Sequence, residues 1–97
     1  MVWVHGGSYV LGAGDEPHHD PTPLVAEQNV IIVAVTFRLG VLGFLGDGSQ
    51  ERPANLGLLD LIAALDWVQS FHAEAQTTWI AGVSFGAWIG MQLLMRR

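Results

Sequence analysis

The stretch WIAGVSFGAWIGMQ, residues 79–92, decides the fold of this chain. Ser84 stands between two glycines, Gly82 and Gly86, each two residues away. An apolar run leads into the serine and a longer apolar run leads out of it, so the pattern predicts a tight turn that joins a strand to a helix. We expect the serine to take a strained backbone conformation, with glycines at the flanking positions because side chains there would collide with it.

Outward from this turn, strand patterns alternate with helical ones. The predicted strands are 2–4, 30–35 and 77–81, and the predicted helices are 24–28, 56–71 and 85–95. Two long loops, rich in glycine and proline, are predicted over 12–23 and 38–54. This order is typical of an α/β fold with a parallel sheet and right-handed crossovers. We expect the first strand to lie beside the third.

The composition points to one small domain over residues 1–97 that has surplus apolar surface. Apolar residues make up 51% of the chain and charged residues only 13%, so there is little charge to cover a small sphere. A three-stranded parallel sheet has two unpaired edges, and we therefore expect self-association through these edges. The net charge of −5 argues against nucleic-acid binding. The absence of cysteine excludes disulfides and thiolate chemistry.

Membrane association is a weaker alternative. Residues 79–95 are mostly apolar, and their glycines at 82, 86 and 90 have a spacing that lets membrane helices approach closely. The run is only as long as the shortest membrane spans, and Ser84 and Gln92 interrupt it. No signal peptide is visible at the start of the sequence, so a cytoplasmic location is the default expectation.

Two glycine-rich turns carry the candidate chemistry. Residues 82–86 match G-x-S-x-G in the strand–turn–helix context that this motif needs, which makes Ser84 a candidate nucleophile. His5-Gly6-Gly7-Ser8 follows the first strand, and its backbone N–H groups, together with that of Phe85, would form an oxyanion hole. Each motif alone also fits an ordinary turn or helix cap. Both motifs in this order are more specific than either alone.

Three consecutive blocks extend the pattern along the chain: VWVHGGSYVLGAGDEPHHD, VAVTFRLGVLGFLG and NLGLLDLIAALDWVQ. They resemble the type-B carboxylesterases, the cholinesterase-like branch of the α/β-hydrolase fold, from Val2 to about Leu94. The resemblance implies a minimal three-layer α/β domain with a parallel sheet, like the central strands of that fold and truncated relative to the family. It also implies a serine esterase that forms an acyl-enzyme with small-molecule carboxylic esters and needs no cofactor.

The resemblance assigns roles by position. Ser84 corresponds to the nucleophile, and Gly6 shapes the oxyanion turn. The oxyanion N–H donors correspond to Gly7, Ser8 and Phe85. Arg38 and Asp60 resemble a buried structural ion pair that ties the loop after the second strand to the long helix.

The chain also departs from the family pattern. The family usually has glutamate where Val83 stands and alanine where Phe85 stands, and we expect Phe85 to crowd the acyl pocket. The segment SFHAEAQTTW, residues 70–79, lacks the usual Gly-Gly-Asp-Pro. In this fold the acid and the histidine of the triad follow the serine, but neither residue type occurs after Ser84. We therefore expect weak or promiscuous ester hydrolysis, and the alternative is a non-catalytic interaction module.

A substitute base would have to come from the histidines before the serine. The candidates are His5, His18 and His19, with Asp15, Glu16 or Asp20 to orient the imidazole; His72 is expected to face solvent or the end of the long helix. A histidine at the position of His5 is more commonly a packed residue than a base. His18 and His19 beside Asp20 raise metal binding, but the sequence fixes no third ligand, so no metal site is predicted.

Overall fold

The computed structural model describes residues 1–71 and 77–96. Its elements in chain order are the strand β1 (Val2–Val4), a 3₁₀ turn (Pro17–His19), the helix α1 (Thr22–Gln28), the strand β2 (Val33–Val35), the helices α2 (Gly40–Phe44) and α3 (Leu56–Phe71), the strand β3 (Ile80–Gly82) and the helix α4 (Phe85–Arg96). The predicted order of strands and helices is confirmed, with α2 and the 3₁₀ turn in addition.

The three strands form one parallel sheet in the order β2-β1-β3. Val4 lies opposite Val35 on one side and Gly82 on the other. The prediction that the first strand lies beside the third is confirmed. Because parallel strands end at the same edge of a sheet, the turns that follow β1 and β3 emerge next to each other.

The core lies on one face of the sheet, under α3 and α4. Val2 and Val4 point to this face and are fully buried. They form one hydrophobic cluster with the buried residues of the helices and of the β2 segment: Val35, Phe37, Leu61, Leu65, Val68, Phe85, Ile89 and Leu93. Leu58 and Ile62 also pack against the cluster, so residues three and four apart form one apolar stripe along α3.

The opposite face of the sheet carries Trp3, because side chains alternate along a strand. The Trp3 ring makes an edge contact with the ring of His19, with centroids 5.3 Å apart. A cavity of about 230 Å³ lies here, lined by Met1, Trp3, His19, Asp20, Pro21, Leu24, Ile32 and Ala34. The 3₁₀ turn and the start of α1 thus form the third layer, which agrees with the predicted three-layer α/β architecture.

Two predicted strands are longer in the sequence pattern than in the structure. β2 begins at Val33 rather than at residue 30, and β3 spans Ile80–Gly82 rather than 77–81. β1 has only three residues, Val2–Val4, so only three residues of β2 and three of β3 can pair with it in register. The apolar runs outside these registers contribute single bonds, for example Val2 N–H to the Trp79 carbonyl at 2.7 Å.

The predicted loop over 38–54 contains the helix α2, which the sequence pattern did not reveal. α2 has five residues, two of them glycines, so it shows no helical period. It packs beside α3: a Cβ on Gly57 would lie 2.8 Å from Cζ of Phe44. In the predicted loop over 12–23, the 3₁₀ turn appears and α1 begins at Thr22, two residues earlier than expected.

Arg38 and Asp60 form the expected ion pair, but it is not buried. Nε and Nη2 of Arg38 donate to the two Asp60 carboxylate oxygens at 2.8 and 2.7 Å, and the Arg38 backbone N–H adds a third bond at 3.1 Å. The side chains are 50% and 27% exposed, because the loop after β2 and α3 meet at the surface. The hydrogen bonds from Arg38 hold the pKa of Asp60 below its ordinary value.

The apolar segment at the end of the chain is divided between β3 and the twelve-residue helix α4. Among the residues that the structure describes, no helix has the length and apolar character needed to cross a membrane.

Candidate active site

Ser84 occupies a sharp turn between β3 and α4. Its φ is +55°, a left-handed conformation that a residue with a side chain rarely adopts. The turn is closed by hydrogen bonds from Gly86 N–H to the Val83 carbonyl (2.9 Å) and from Trp88 N–H to the Ser84 carbonyl (3.2 Å). The strained conformation expected from the sequence is confirmed. The turn leaves the serine side chain exposed at the edge where β1 and β3 end.

The glycines around Ser84 are needed for close backbone approach. A Cβ on Gly86 would collide with the carbonyl groups of Val4 and His5, at the end of β1. A Cβ on Gly82 would lie 2.6 Å from the carbonyl carbon of Gly86. The collisions therefore involve β1 and the first turn of α4, rather than the serine side chain that the sequence suggested. These glycines let α4 start directly against the central strand.

The turn after β1 is also strained. Gly7 has a φ of +123°, and the next two residues, Ser8 and Tyr9, have φ values of +53° and +72°. The Gly7 carbonyl accepts hydrogen bonds from the backbone N–H groups of Val10 (3.0 Å) and Leu11 (3.2 Å). A Cβ on Gly7 would collide with the Leu11 carbonyl, so this position requires glycine for space as well as for φ.

The two turns lie against each other. A Cβ on Gly6 would be 3.0 Å from the Val83 carbonyl oxygen and 3.3 Å from the Ser84 Cβ. The rings of Tyr9 and Phe85 also pack together, with centroids 3.9 Å apart. The close approach of Gly6 to Ser84 and the ring contact between Tyr9 and Phe85 thus hold the glycine turn beside the serine.

Backbone N–H groups suited to an oxyanion are free at this junction. In the described part of the chain, the N–H groups of Gly7, Ser8 and Phe85 donate no hydrogen bond to a protein acceptor. Phe85 is the first residue of α4, where the helix has no internal partner for its N–H groups and where the helix dipole favours negative charge. Free N–H groups beside a serine are what an oxyanion hole requires, and the assignment of these three groups to one stays a prediction.

The Phe85 side chain packs against Tyr9 of the glycine turn and is buried. It is only 7% exposed and belongs to the hydrophobic core, where it contacts Tyr9, Phe37 and Phe44. The expected crowding of an acyl pocket by Phe85 stays a prediction. Its backbone contributes to the junction while its side chain anchors the start of α4.

His5 is a packed residue. It is 0% exposed, its ring stacks on Phe37 at a centroid distance of 4.6 Å, and its Nδ1 lies 2.7 Å from the Gly6 carbonyl oxygen. Its Nε2 is buried and has no hydrogen-bond partner. The ring makes no hydrogen bond to Ser84, so in this conformation it holds the glycine turn rather than the serine hydroxyl.

His18 and His19 lie on the Trp3 side of the sheet. His18 Nε2 is 3.1 Å from Oε2 of Glu16, and His19 Nδ1 is 3.4 Å from the same oxygen. The second contact is close enough for an ion pair but lacks hydrogen-bond geometry, since His19 Nδ1 is buried without a hydrogen-bond partner. Neither histidine is brought to Ser84 by a hydrogen bond. His72 lies outside the described residues.

An apolar cleft of about 390 Å³ lies between α3, α4 and the glycine turn. Its lining residues are Tyr9, Phe44, Asn55, Leu58, Ile62, Trp88, Ile89, Gln92 and Leu93. Ser84 is not among them, but Tyr9 belongs to both the cleft and the turn beside the serine. The sequence did not single out Tyr9, because its contact with Phe85 depends on the left-handed conformation of two consecutive residues.

A model of the carboxylesterase family matches residues 1–97 of this chain. The chain belongs to the carboxylesterase family. Its esterase relatives include the para-nitrobenzyl esterase of Bacillus subtilis (strain 168), which is 44% identical over 92 residues, covering 89% of this chain and 19% of that protein. Carboxylesterase 3 of Pongo abelii is 40% identical over 99 residues, covering 98% of this chain and 17% of that protein.

Among solved esterase structures, a thermophilic pNB esterase superposes with a TM-score of 0.79 at 43% sequence identity, covering 89% of this chain and 19% of that one. The predicted α/β-hydrolase fold and the resemblance to the type-B carboxylesterases are confirmed. The chain spans less than a fifth of the length of each of these two curated relatives.

Proposed function

We propose that the chain carries the nucleophile and the oxyanion hole of a carboxylic-ester hydrolase, with Ser84 as the nucleophile. One observation carries the proposal: the glycine turn after β1 lies so close to Ser84 that a Cβ on Gly6 would be 3.3 Å from the Ser84 Cβ, and the backbone N–H groups of Gly7 and Ser8 donate to no protein acceptor. Membership of the carboxylesterase family supports the same reaction class.

The reaction starts with the attack of Ser84 Oγ on the carbonyl carbon of the ester. The new C–O bond forms as the carbonyl π electrons move onto oxygen, and the N–H groups of Gly7, Ser8 and Phe85 hold this oxyanion while Gly6 keeps the turn close. Collapse of the intermediate breaks the bond to the alcohol oxygen and leaves the acyl group on Ser84, while the proton of the serine hydroxyl passes to solvent water. Water then attacks the acyl carbon and releases the acid and the serine hydroxyl.

The rate depends on how readily the serine hydroxyl loses its proton, which normally requires a base. None of the described histidines or carboxylates forms a hydrogen bond with Ser84. In serine proteases that lack the triad, the oxyanion hole and substrate binding still leave roughly 10³–10⁴-fold catalysis over water. We therefore propose that the 97-residue chain hydrolyses activated esters weakly, since a phenolate leaves without needing a proton. His5, His18 and His19 remain the candidates for a substitute base.

The test combines labelling with turnover. Intact mass spectrometry after incubation with a fluorophosphonate should show one adduct on the wild-type chain and none on Ser84→Ala. Hydrolysis of a short p-nitrophenyl ester should fall to the background rate in the same variant. Ser70→Ala is the matched control, because the Ser70 hydroxyl donates to the Trp67 carbonyl on α3 and should affect neither readout.

A different outcome would contradict the role of Ser84 as the nucleophile. Equal rates in the wild type and Ser84→Ala, with no adduct in either protein, would contradict the proposal and favour the non-catalytic interaction module. An adduct with a measurable rate would justify replacing His5, His18 and His19 one at a time to find the base.

A further inference from the structure

A second group of reactive side chains lies on the other face of the sheet from the core. Glu16, His18 and His19 place one potential ligand atom each within 4.8 Å of one another. Glu16 Oε2 faces both imidazoles, at 3.1 Å from His18 Nε2 and 3.4 Å from His19 Nδ1. Two ligands bound tetrahedrally at zinc distances lie roughly 3.4 Å apart. The spacing around Glu16 therefore already matches that of a coordinated ion.

The carboxylate and the turn are held in place by other bonds. Glu16 Oε1 accepts a hydrogen bond from the Ala13 backbone N–H at 3.2 Å, which leaves Oε2 directed at the histidines. The His19 N–H donates to the Glu16 carbonyl at 3.0 Å, and Pro17 restricts the backbone between them. Outer bonds of this kind orient metal ligands and raise affinity. The group is thus preorganised by its own turn.

Asp20, the neighbouring carboxylate, does not join these three residues. Asp20, which the sequence suggested as a partner of the histidines, instead accepts two bonds from Thr22, at 3.0 Å from N–H and 2.6 Å from Oγ1. His19 Nδ1 is buried and has no hydrogen-bond partner. A buried ring nitrogen without a partner carries an energetic cost that a bound cation would remove.

We propose that Glu16, His18 and His19 bind a divalent transition-metal ion of the zinc type. Two imidazoles and one carboxylate suit zinc, nickel and copper, whereas magnesium and calcium prefer oxygen ligands. Three protein ligands leave a fourth position for water. The ion would fasten the 3₁₀ turn beneath Trp3, whose ring contacts His19. This site is separate from Ser84 and does not depend on the proposed esterase chemistry.

Calorimetric titration of the 97-residue chain with zinc chloride tests the proposal. We expect one ion per chain, and affinity reduced at least about tenfold by each of His18→Gln, His19→Gln and Glu16→Gln, since each removes a ligand. Asp15→Asn is the matched control, because it removes the same charge one residue away and should leave the affinity within about threefold. Magnesium chloride should give no heat at the same concentrations.

A fluorescence measurement locates the ion. Copper(II) bound at His19 should quench the emission of Trp3, and Trp3→Phe should lose this quenching while keeping its calorimetric affinity. Far-UV circular dichroism identifies any variant that fails to fold, in which case the wild-type chain and Trp3→Phe still decide the question. The proposal is overturned if zinc does not bind the wild type, if the double variant His18→Gln/His19→Gln binds equally well, or if Asp15→Asn loses as much affinity as Glu16→Gln.

Discussion

Ser84, Ser8 and Tyr9 share a backbone conformation that side chains normally avoid. Five non-glycine residues of the described chain have positive φ, and the other two are asparagines, Asn29 and Asn55, which tolerate it well. The strained residues that lack this tolerance therefore all lie in the two turns of the candidate site. Each such conformation costs about 1–3 kcal/mol and persists only where surrounding structure enforces it. Here the packing of Gly6 on Ser84 and of Tyr9 on Phe85 provides that enforcement.

Gly86→Ala tests this close approach. The new methyl group would meet the carbonyl groups of Val4 and His5, which belong to the backbone and cannot move aside. We expect a loss of stability of about 1–3 kcal/mol or more, as for overpacked sites, together with loss of fluorophosphonate labelling at Ser84. Denaturant titration gives the first quantity and intact mass gives the second.

The matched control is Gly90→Ala on the same helix. Its Cβ would lie 2.9 Å from Cγ2 of Ile80, which is a side-chain atom rather than a backbone carbonyl. Alanine also favours a helix interior over glycine by about 0.5–1 kcal/mol. We expect a smaller loss of stability than in Gly86→Ala and labelling close to that of the wild type. Equal losses in both variants would contradict the argument from backbone contact.

At the scale of elements, the sequence predicted what depends on local patterns. The helical pattern over 56–71 gave the bounds of α3, and the glycine spacing around Ser84 gave the turn before α4. The ends of β2 and β3 were wrong, because their length is limited by the three residues of β1. α2 was missed because its five residues, two of them glycines, show no helical period. Glu16 was not recognised as a third ligand, because its carboxylate meets both histidines only through the short turn at Pro17–His19.

The pair of Arg38 and Asp60 joins two elements, and its contribution should depend on pH. Its hydrogen bonds lower the pKa of Asp60 below the ordinary value of 3.8. The stabilisation is therefore fully present above pH of about 4 and is lost as the pH falls through the lower pKa of the folded state. Asp60→Asn should lower the Tm by a few degrees at neutral pH, and the difference from the wild type should close below the ordinary pKa.

Thermal unfolding followed by circular dichroism across this pH range makes the measurement. Asp15→Asn removes an exposed carboxylate from a loop and serves as the control. A gap between the wild type and Asp60→Asn that is constant down to the most acidic pH would show that the ion pair is not its source.

At the scale of the whole molecule, much apolar surface stays exposed. β2 and β3 are the outer strands of the described sheet, and the residues that precede them, Ile31 and Trp79, are 57% and 67% exposed. Unpaired edges flanked by apolar side chains favour pairing between chains. The self-association predicted from the composition therefore stays a prediction, and it now has specific positions at which to be tested.

Light scattering over a dilution series at micromolar concentrations should show a mass above that of the monomer. The double variant Ile31→Lys/Trp79→Lys should shift the chain towards monomer, because charges beside an edge oppose strand pairing. Leu42→Lys is the control, since Leu42 is 79% exposed but lies on α2. The prediction is contradicted if the wild-type chain is monomeric throughout, or if Leu42→Lys lowers the measured mass as much as the double variant does.

The position of β1 at the centre of the sheet sets an order of assembly during synthesis. Val2 can pair with Val33 early, but its other partner, Ile80, is translated well after Val33. Contacts so distant in sequence are slow to form, because a long loop must close first. The glycine turn after β1 is therefore translated long before the serine it faces. Until β3 arrives, one side of the central strand stays open to chaperones and to neighbouring chains.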